Sequence, residues 1–239
     1  MENGKPLKGQ VALITGASRG IGLAIAEQLA GMGARLSLCA RGAADLDRAA
    51  AALRHAGAEV FAAAADMTRS ADIARFAEET QRNAGPVDIL VNNAGVGRFG
   101  AFQELSEEDW DAVLDTNLKG VFLLSRAILP SMIERKTGHI INIASLAGKN
   151  AFVGGSIYCA SKWGLLGLTN CMAEDLRGYG IRVTAICPGS VATEFSPPSK
   201  KNPEKMLQPG DVAHAVAAIV TQAPQSFISE VLIRPTQKP

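Results

Sequence analysis

Gln10-Val-Ala-Leu-Ile-Thr-Gly-Ala-Ser-Arg-Gly-Ile-Gly22 decides the fold of this chain. Residues 10–15 are a continuous apolar run, the pattern of a strand buried on both faces of a parallel sheet. Three glycines in G-x-x-x-G-x-G spacing follow directly, and Ile21, Ala24, Ile25, Gln28 and Leu29 then recur at helical intervals over residues 20–32. Strand, glycine-rich turn and helix in that order are the pattern expected of the first unit of a dinucleotide-binding βαβ fold. Gly16 permits the tight turn, Gly20 lets backbone approach a pyrophosphate, and Gly22 lets helix and strand pack closely. Ser18, Arg19 and Ile21 share the turn, and the helix N-terminus faces the anion. Such a turn also fits an ordinary strand-to-helix connection, so its meaning depends on the rest of the chain.

Working outward, the alternation repeats. RLSLCA at 35–40 and the segment 59–64 read as strands, separated by an Ala-rich helix over 43–56. A helix over 70–83 follows, with Ser70 as its N-cap, and then a strand at 89–92. Ser106-Glu-Glu-Asp opens the next helix in capping-box style. The long helix from about Asn117 to Lys136 contains Pro130, which predicts a kink or an early break. HIINIA at 139–144 is a fifth strand, 157–179 a long helix, RVTAIC at 182–187 a sixth strand, 210–221 a helix and EVLIR at 230–234 the last strand. This pattern predicts one α/β domain over 1–239: a doubly wound Rossmann-type fold with a central parallel sheet of about seven strands and helices on both faces. A cofactor half at about 8–145 precedes a substrate half at about 146–239, with the ligand at the carboxyl ends of the strands. The polar, Pro- and Lys-rich stretch 196–207 predicts a mobile lid over about 194–208.

Composition bounds the function. With 239 residues, 47% apolar and 20% charged, the chain can bury a substantial core, which excludes wholesale disorder. A net charge of +1 without a dense Lys/Arg block argues against nucleic acid or an anionic membrane as partner. Cys39, Cys159, Cys171 and Cys187 lie far apart without a C-x-x-C pair, as expected of reduced, mostly buried thiols. His55, His139 and His214 are scattered, so no metal site is expected. No apolar leader opens the chain and no stretch reaches the roughly 18 apolar residues of a membrane helix, so a cytoplasmic protein is expected.

The end of the second strand addresses the cofactor. Dinucleotide units that prefer NAD place a carboxylate there for the ribose 2′-hydroxyl. Here the residues are Cys39-Ala40-Arg41, and Arg41 with Arg19 can form a guanidinium pincer on a 2′-phosphate, which favours NADP(H). Further on, Tyr158 and Lys162 stand at i and i+4 on one helix face, and Ser145 ends a strand thirteen residues before Tyr158. A free tyrosine, with pKa near 10, is a poor base at neutral pH, and a nearby ammonium lowers that pKa. The same spacing also fits a packed aromatic beside a snorkelling lysine. Cys159, next on the helix, and Trp163 with the apolar run 165–168 are read as packing.

Together these segments resemble the short-chain dehydrogenase/reductase family over nearly the whole chain. The resemblance rests on TGASRGIG at 15–22, Asn92-Asn-Ala-Gly95, Asn117, Ser145, Tyr158-x-x-x-Lys162 and Pro188-Gly-Ser-Val-Ala-Thr193, in the family's order and spacing. It implies an enzyme that interconverts a small-molecule carbonyl and an alcohol using NADP(H), with Tyr158 as general acid/base. Lys162 would lower the Tyr158 pKa and hold the nicotinamide ribose, Ser145 would bond the substrate oxygen, and Asn117 would hold a water linking Lys162 to solvent. Asp66, with Met67, matches the adenine contact; Asn93, Ala94 and Gly95 would line the ribose, and Asn92 would stabilise the sheet. Pro188, Gly189, Val191 and Thr193 would cradle the nicotinamide amide and pyrophosphate. The two long helices would build a homotetramer or homodimer. The lid after Thr193 is short, with no aromatic after Phe195, which suggests an open site. The ending Ile233–Pro239 lacks the Gly-Gly-containing tail of many members that reduce 3-oxoacyl chains on acyl carrier protein. Such a reductase stays an alternative, with Arg126, Arg135 and Lys136 as its candidate docking patch; a non-catalytic dinucleotide sensor is the distant one.

Overall fold

β1 (Val11–Thr15) is buried along its whole length because it lies mid-sheet with helices on both sides. Its side chains alternate between two cores: Ala12 and Ile14 enter one, Val11 and Leu13 the other. In the computed structural model, which describes residues 5–195 and 202–239, seven strands pair in the order β3-β2-β1-β4-β5-β6-β7, parallel throughout. The others are β2 (Arg35–Ala40), β3 (Val60–Ala64), β4 (Ile89–Asn92), β5 (Gly138–Ile143), β6 (Ile181–Pro188) and β7 (Glu230–Ile233). Strand order reverses between β1 and β4, and in such sheets the crevice for a ligand opens at that reversal.

α1 (Gly20–Gly31), α2 (Ala43–His55) and α7 (Pro209–Val220) cover one face through Ile25, Leu29, Leu46, Leu53, Val212 and Val216. On the other, α3 (Ser70–Asn83), α5 (Gly120–Arg135) and α6 (Ser156–Leu176) contribute Ile73, Phe76, Leu124, Met132 and Leu176. Each such side chain is worth about 1.5–3 kcal/mol of burial. α4 (Glu107–Leu114) opens with the expected capping box: Asp109 N–H donates to Ser106 Oγ at 3.2 Å and Ser106 N–H to Asp109 Oδ2 at 3.4 Å.

Three local expectations are corrected. Ser70 is not the cap of α3; the chain is extended at Arg69 and already helical at Ser70, and no side chain caps the start. Pro130 does not end α5, which continues to Arg135. Pro130 lies on the solvent side, where the freed carbonyl one turn earlier can meet water, while buried Ile128 and Met132 hold the helix to the core. Trp163 does not pack inside: it is 54% exposed, although Leu165 and Leu166 are buried. Of the expected lid, residues 196–201 lie outside the described residues. The return leg is fixed by a parallel bridge, with Leu207 N–H donating to Ser190 O at 2.9 Å and Ala192 N–H to Leu207 O at 2.8 Å. Among the described residues, no helix is long and apolar enough to cross a membrane, and no group of three or more His, Cys, Asp or Glu is placed to hold a metal.

Candidate active site

The carboxyl ends of β1, β4, β5 and β6 open on a cleft of about 1680 Å³. Its floor is a hydrogen-bonded junction between two turns. Thr15 Oγ1 accepts from the N–H groups of Asn93 (3.0 Å) and Ala94 (2.9 Å), while Asn93 Nδ2 donates to the carbonyls of Thr15 (2.9 Å) and Gly16 (3.2 Å). A Cβ on Gly22 would stand 2.3 Å from Gly16 O, so that glycine is required by packing. Gly20, at φ +57°, leaves bare backbone at the start of α1. That helix begins with no side-chain cap and no acidic residue in its first turn, so its amide N–H groups suit a phosphate.

At the far corner Cys39, Ala40 and Arg41 meet Ala65, Asp66 and Met67 along the cleft wall. Asp66 Oδ1 is fixed by Thr68 N–H and Thr68 Oγ1, both at 2.9 Å. The two arginines do not form a ready-made pincer. Arg41 stands at this corner, but Arg19 Nη1 donates to Glu194 Oε2 at 2.6 Å, in a pair whose side chains are 66% and 74% exposed. The segment carrying Glu194 packs on the glycine turn, with Thr193 Cγ2 only 3.3 Å from where a Cβ on Gly20 would lie.

At the other end, Ser145 Oγ accepts from Ala147 N–H at 3.0 Å, capping a short 3₁₀ turn after β5. Tyr158 faces the cleft from α6, and the nearby Ser145 hydroxyl acts to lower its pKa. Lys162, one turn further on, is 5% exposed, and its Nζ donates to Ile143 O at 2.8 Å. A single π turn at Asp115–Lys119, between α4 and α5, carries Asn117 inward. Such turns often mark functional sites. The Asn117 side chain is fully engaged: Oδ1 accepts from Val96 N–H (2.8 Å), and Nδ2 donates to Val96 O (2.9 Å) and Ser161 Oγ (3.0 Å).

Burial dominates the electrostatics. It pushes the Lys162 ammonium down to about 8 and the Tyr158 phenol up to about 12, with the neighbouring Ser145 hydroxyl opposing the latter. The expected lowering of Tyr158 by Lys162 is therefore not what the protein alone produces. Lys162 Nζ is 5.8 Å from the Tyr158 ring centroid and spends a hydrogen bond on Ile143. The phenol is held protonated, the form that can give a proton away.

Gly16, Ser18, Arg19, Gly20, Ile21, Arg41, Asp66, Met67, Asn93, Ala94, Gly95, Ser145, Tyr158, Lys162, Pro188, Gly189, Val191 and Thr193 all line the cleft. Gly22 and Asn117 lie behind it, as packing and support. Sequence reasoning missed Asn142, whose Nδ2 donates to Thr169 Oγ1 at 2.9 Å and whose Oδ1 accepts from Asn92 Nδ2 at 2.8 Å. A polar asparagine in the middle of the apolar strand HIINIA was its signal. It also missed Phe99, Phe152 and residues 234–239, which line the cleft from segments without periodicity.

The sequence profile of the short chain dehydrogenase family matches residues 10–204. Sepiapterin reductase of Chlorobaculum tepidum is 38% identical, over 95% of this chain and 96% of that protein. A 3-oxoacyl-[acyl-carrier-protein] reductase of Synechocystis sp. is 35% identical, over 93% and 94%. Among solved structures, a metagenomic short-chain oxidoreductase in complex with NADP superposes with a TM-score of 0.87 at 47% identity, covering 98% of this chain and all of that one.

Proposed function

This chain belongs to the short-chain dehydrogenase family and is an NADP(H)-dependent oxidoreductase; from that footing we propose that it interconverts a carbonyl and a secondary alcohol, with Tyr158 as the acid/base. The observation that carries this reading is Tyr158 facing the cleft together with Ser145 at the end of β5, with Lys162 buried one turn behind it. The dinucleotide suits the cleft: bare backbone at Gly20 and the uncapped start of α1 take the pyrophosphate, and Arg41 takes the 2′-phosphate. Asp66 and Met67 serve the adenine, Asn93 to Gly95 the ribose, and Pro188, Gly189, Val191 and Thr193 the nicotinamide half. When bound, the cofactor supplies or accepts the hydride. Ser145 orients the carbonyl oxygen, and Tyr158, protonated by its burial, gives that oxygen a proton during reduction and takes it back in the reverse direction. Lys162, charged below about pH 8, opposes the negative charge that develops on the phenol and holds the nicotinamide ribose hydroxyls. Asn117 positions both partners, because it ties Val96 to Ser161 on the Tyr158 helix.

Reduction of 3-oxoacyl chains on a carrier protein has support from the Synechocystis relative but less from this surface. Of the candidate docking cations, Arg135 is spent on Asp88 Oδ1 (2.5 Å) and Val87 O (2.6 Å), which leaves Arg126 and Lys136. A cytoplasmic homo-oligomer completes the proposal. Phe122 on α5 lines an apolar hollow with Leu114, Leu118 and Leu168, and Trp110 on α4 and Trp163 on α6 stand exposed, features that suit a second copy of the chain. The test is NADPH against NADH oxidation with a broad ketone and 3-oxoester panel. Faster use of NADPH is expected. Equal use of both would overturn the Arg41 reading, and no turnover with any carbonyl would overturn the function.

A further inference from the structure

Three phenylalanines from three different loops gather near Tyr158, two against its ring and the third against one of those two. The Phe99 ring meets the Tyr158 ring edge-on with centroids 5.4 Å apart, Phe195 approaches it at 5.7 Å, and Phe152 lies 6.1 Å from Phe99. Two glycines seat these rings. A Cβ on Gly97 would stand 2.6 Å from the Phe99 ring and 3.3 Å from that of Phe195, and one on Gly155 would stand 2.5 Å from the Phe152 ring. The loops are joined by Gly100 N–H donating to Gly154 O at 3.1 Å. All three rings line the cleft and remain 37% (Phe99), 48% (Phe152) and 41% (Phe195) exposed. They form an apolar wall with uncovered ring surface beside the reacting hydroxyl.

The cations next to Phe99 and Phe152 are tied up, and the charge next to Phe195 is the Glu194 carboxylate, which lines the cleft and pairs with Arg19. Arg98, next to Phe99, pairs with Asp109 at 3.2 Å, and Lys149, three residues before Phe152, pairs with Glu230 at 2.8 Å. Neither cation lines the cleft, and the segments 94–99 and 145–152 present to it only Ala, Gly, Val, Phe, Ser, Leu and Asn side chains. Arg234 and Lys238 reach the cleft from the segment packed on Gly189, not from the segments that carry the rings. Among the described residues, an anionic group against Phe99 and Phe152 would therefore lose its water without gaining a partner, and beside Phe195 it would meet the Glu194 carboxylate. A flat apolar group would gain offset or edge-to-face contacts with the rings.

We propose that the site takes a neutral ketone bearing an aromatic ring within a bond or two of its carbonyl, the ring lying among Phe99, Phe152 and Phe195 while the carbonyl oxygen meets Tyr158 and Ser145. The inference rests on the carbonyl-reductase reading of the same site. Its test compares kcat/KM with NADPH for phenylacetone, cyclohexylacetone and 4-(2-oxopropyl)benzoate, three methyl ketones whose carbonyl is insulated from the ring by a methylene. Phenylacetone is expected to exceed cyclohexylacetone by about 5- to 30-fold, the worth of one to two aromatic pairs beyond area burial, and the benzoate is expected to be the poorest. The phenyl-to-cyclohexyl ratio should fall toward one in Phe99→Leu and in Phe152→Leu, with NADPH binding measured by fluorescence titration as the check on folding. Phe152 is included because its ring meets Phe99 and not Tyr158. A ratio near one in the unaltered enzyme, a preference for the benzoate, or a ratio unchanged in both variants overturns the inference and leaves the carbonyl-reductase reading standing. Failure of NADPH oxidation with every ketone overturns that reading itself.

Discussion

Replacing Lys162 with methionine removes a buried charge that the fold bears as a cost. Lys162 is 5% exposed, and burial brings its pKa from 10.5 to about 8. At about 1.4 kcal/mol per unit, the charged form is disfavoured in the folded state by roughly 3 kcal/mol. Because the folded pKa lies below the unfolded one, the unfolded chain holds the extra proton between pH 8 and 10.5. Stability contributed by this residue therefore rises with pH across that window, and the full penalty is present below pH 8. Lys162→Met deletes the penalty but leaves the Ile143 carbonyl without its donor, at about 1–3 kcal/mol. The variant should thus be between equal to and about 2 kcal/mol more stable than the parent at pH 7, at about 2–4 °C in Tm per kcal/mol for a chain of this size. Turnover should be lost, because no cation remains behind the phenol. Urea denaturation of both proteins at pH 7, 8.5 and 10 checks the point. Cys39 and Tyr158, whose pKa values are raised by burial, titrate in the opposite sense but are common to both proteins and cancel in the difference. A variant destabilised at pH 7 by more than about 2 kcal/mol, or a parent-minus-variant difference that stays flat above pH 8, would refute the reasoning.

Other outcomes follow from single contacts. Glu194→Gln releases Arg19 from an exposed pair and should tighten NADPH binding by about two- to five-fold with little change for NADH; identical titrations for parent and variant would remove Arg19 from the phosphate site. Gly22→Ala drives a Cβ into Gly16 O and Asn93 Nδ2, so it should destabilise the fold by at least about 1–3 kcal/mol and weaken NADPH binding. Gly31→Ala, which meets open space, should do neither. His139 is buried with its pKa lowered to about 3 by burial and by Arg182, below the unfolded value of 6.5. Stability should fall as pH drops from about 6.5, by up to about 1.4 kcal/mol per unit from this residue, and His139→Gln should flatten that limb in urea melts at pH 7, 6 and 5.

How much was legible in the sequence follows from which residues act through local pattern. β1, the glycine turn and α1 follow from apolar periodicity and from glycines whose absent side chains are demanded by neighbours within 3 Å, such as Gly22 against Gly16 O. Tyr158 and Lys162 were readable because one helical turn fixes their relation. Arg19 was readable as a residue but not in its direction, because Glu194 lies 175 positions away and competes for it. Asn117 was found through the family resemblance, yet its full engagement by Val96 and Ser161 depends on a π turn that no propensity announces. Trp163 and the three phenylalanines mislead in opposite ways. A large apolar side chain is expected inside, but Trp163 lies on an outer helix face, and the phenylalanines gather only once separate loops fold over Tyr158. Lys162 was expected to lower the Tyr158 pKa, and burial of both groups reverses that balance in the protein alone.

The most direct test of the central claim is Tyr158→Phe, with NADPH binding and turnover measured on the same preparation. The substitution removes one hydroxyl from a ring held by Phe99 and Phe195 and leaves the glycine turn untouched. NADPH should bind within about three-fold of the parent, while kcat on any accepted ketone should fall by roughly 100-fold or more, the range for loss of a general acid. A variant that binds NADPH and still turns over within ten-fold of the parent would contradict the assignment of Tyr158.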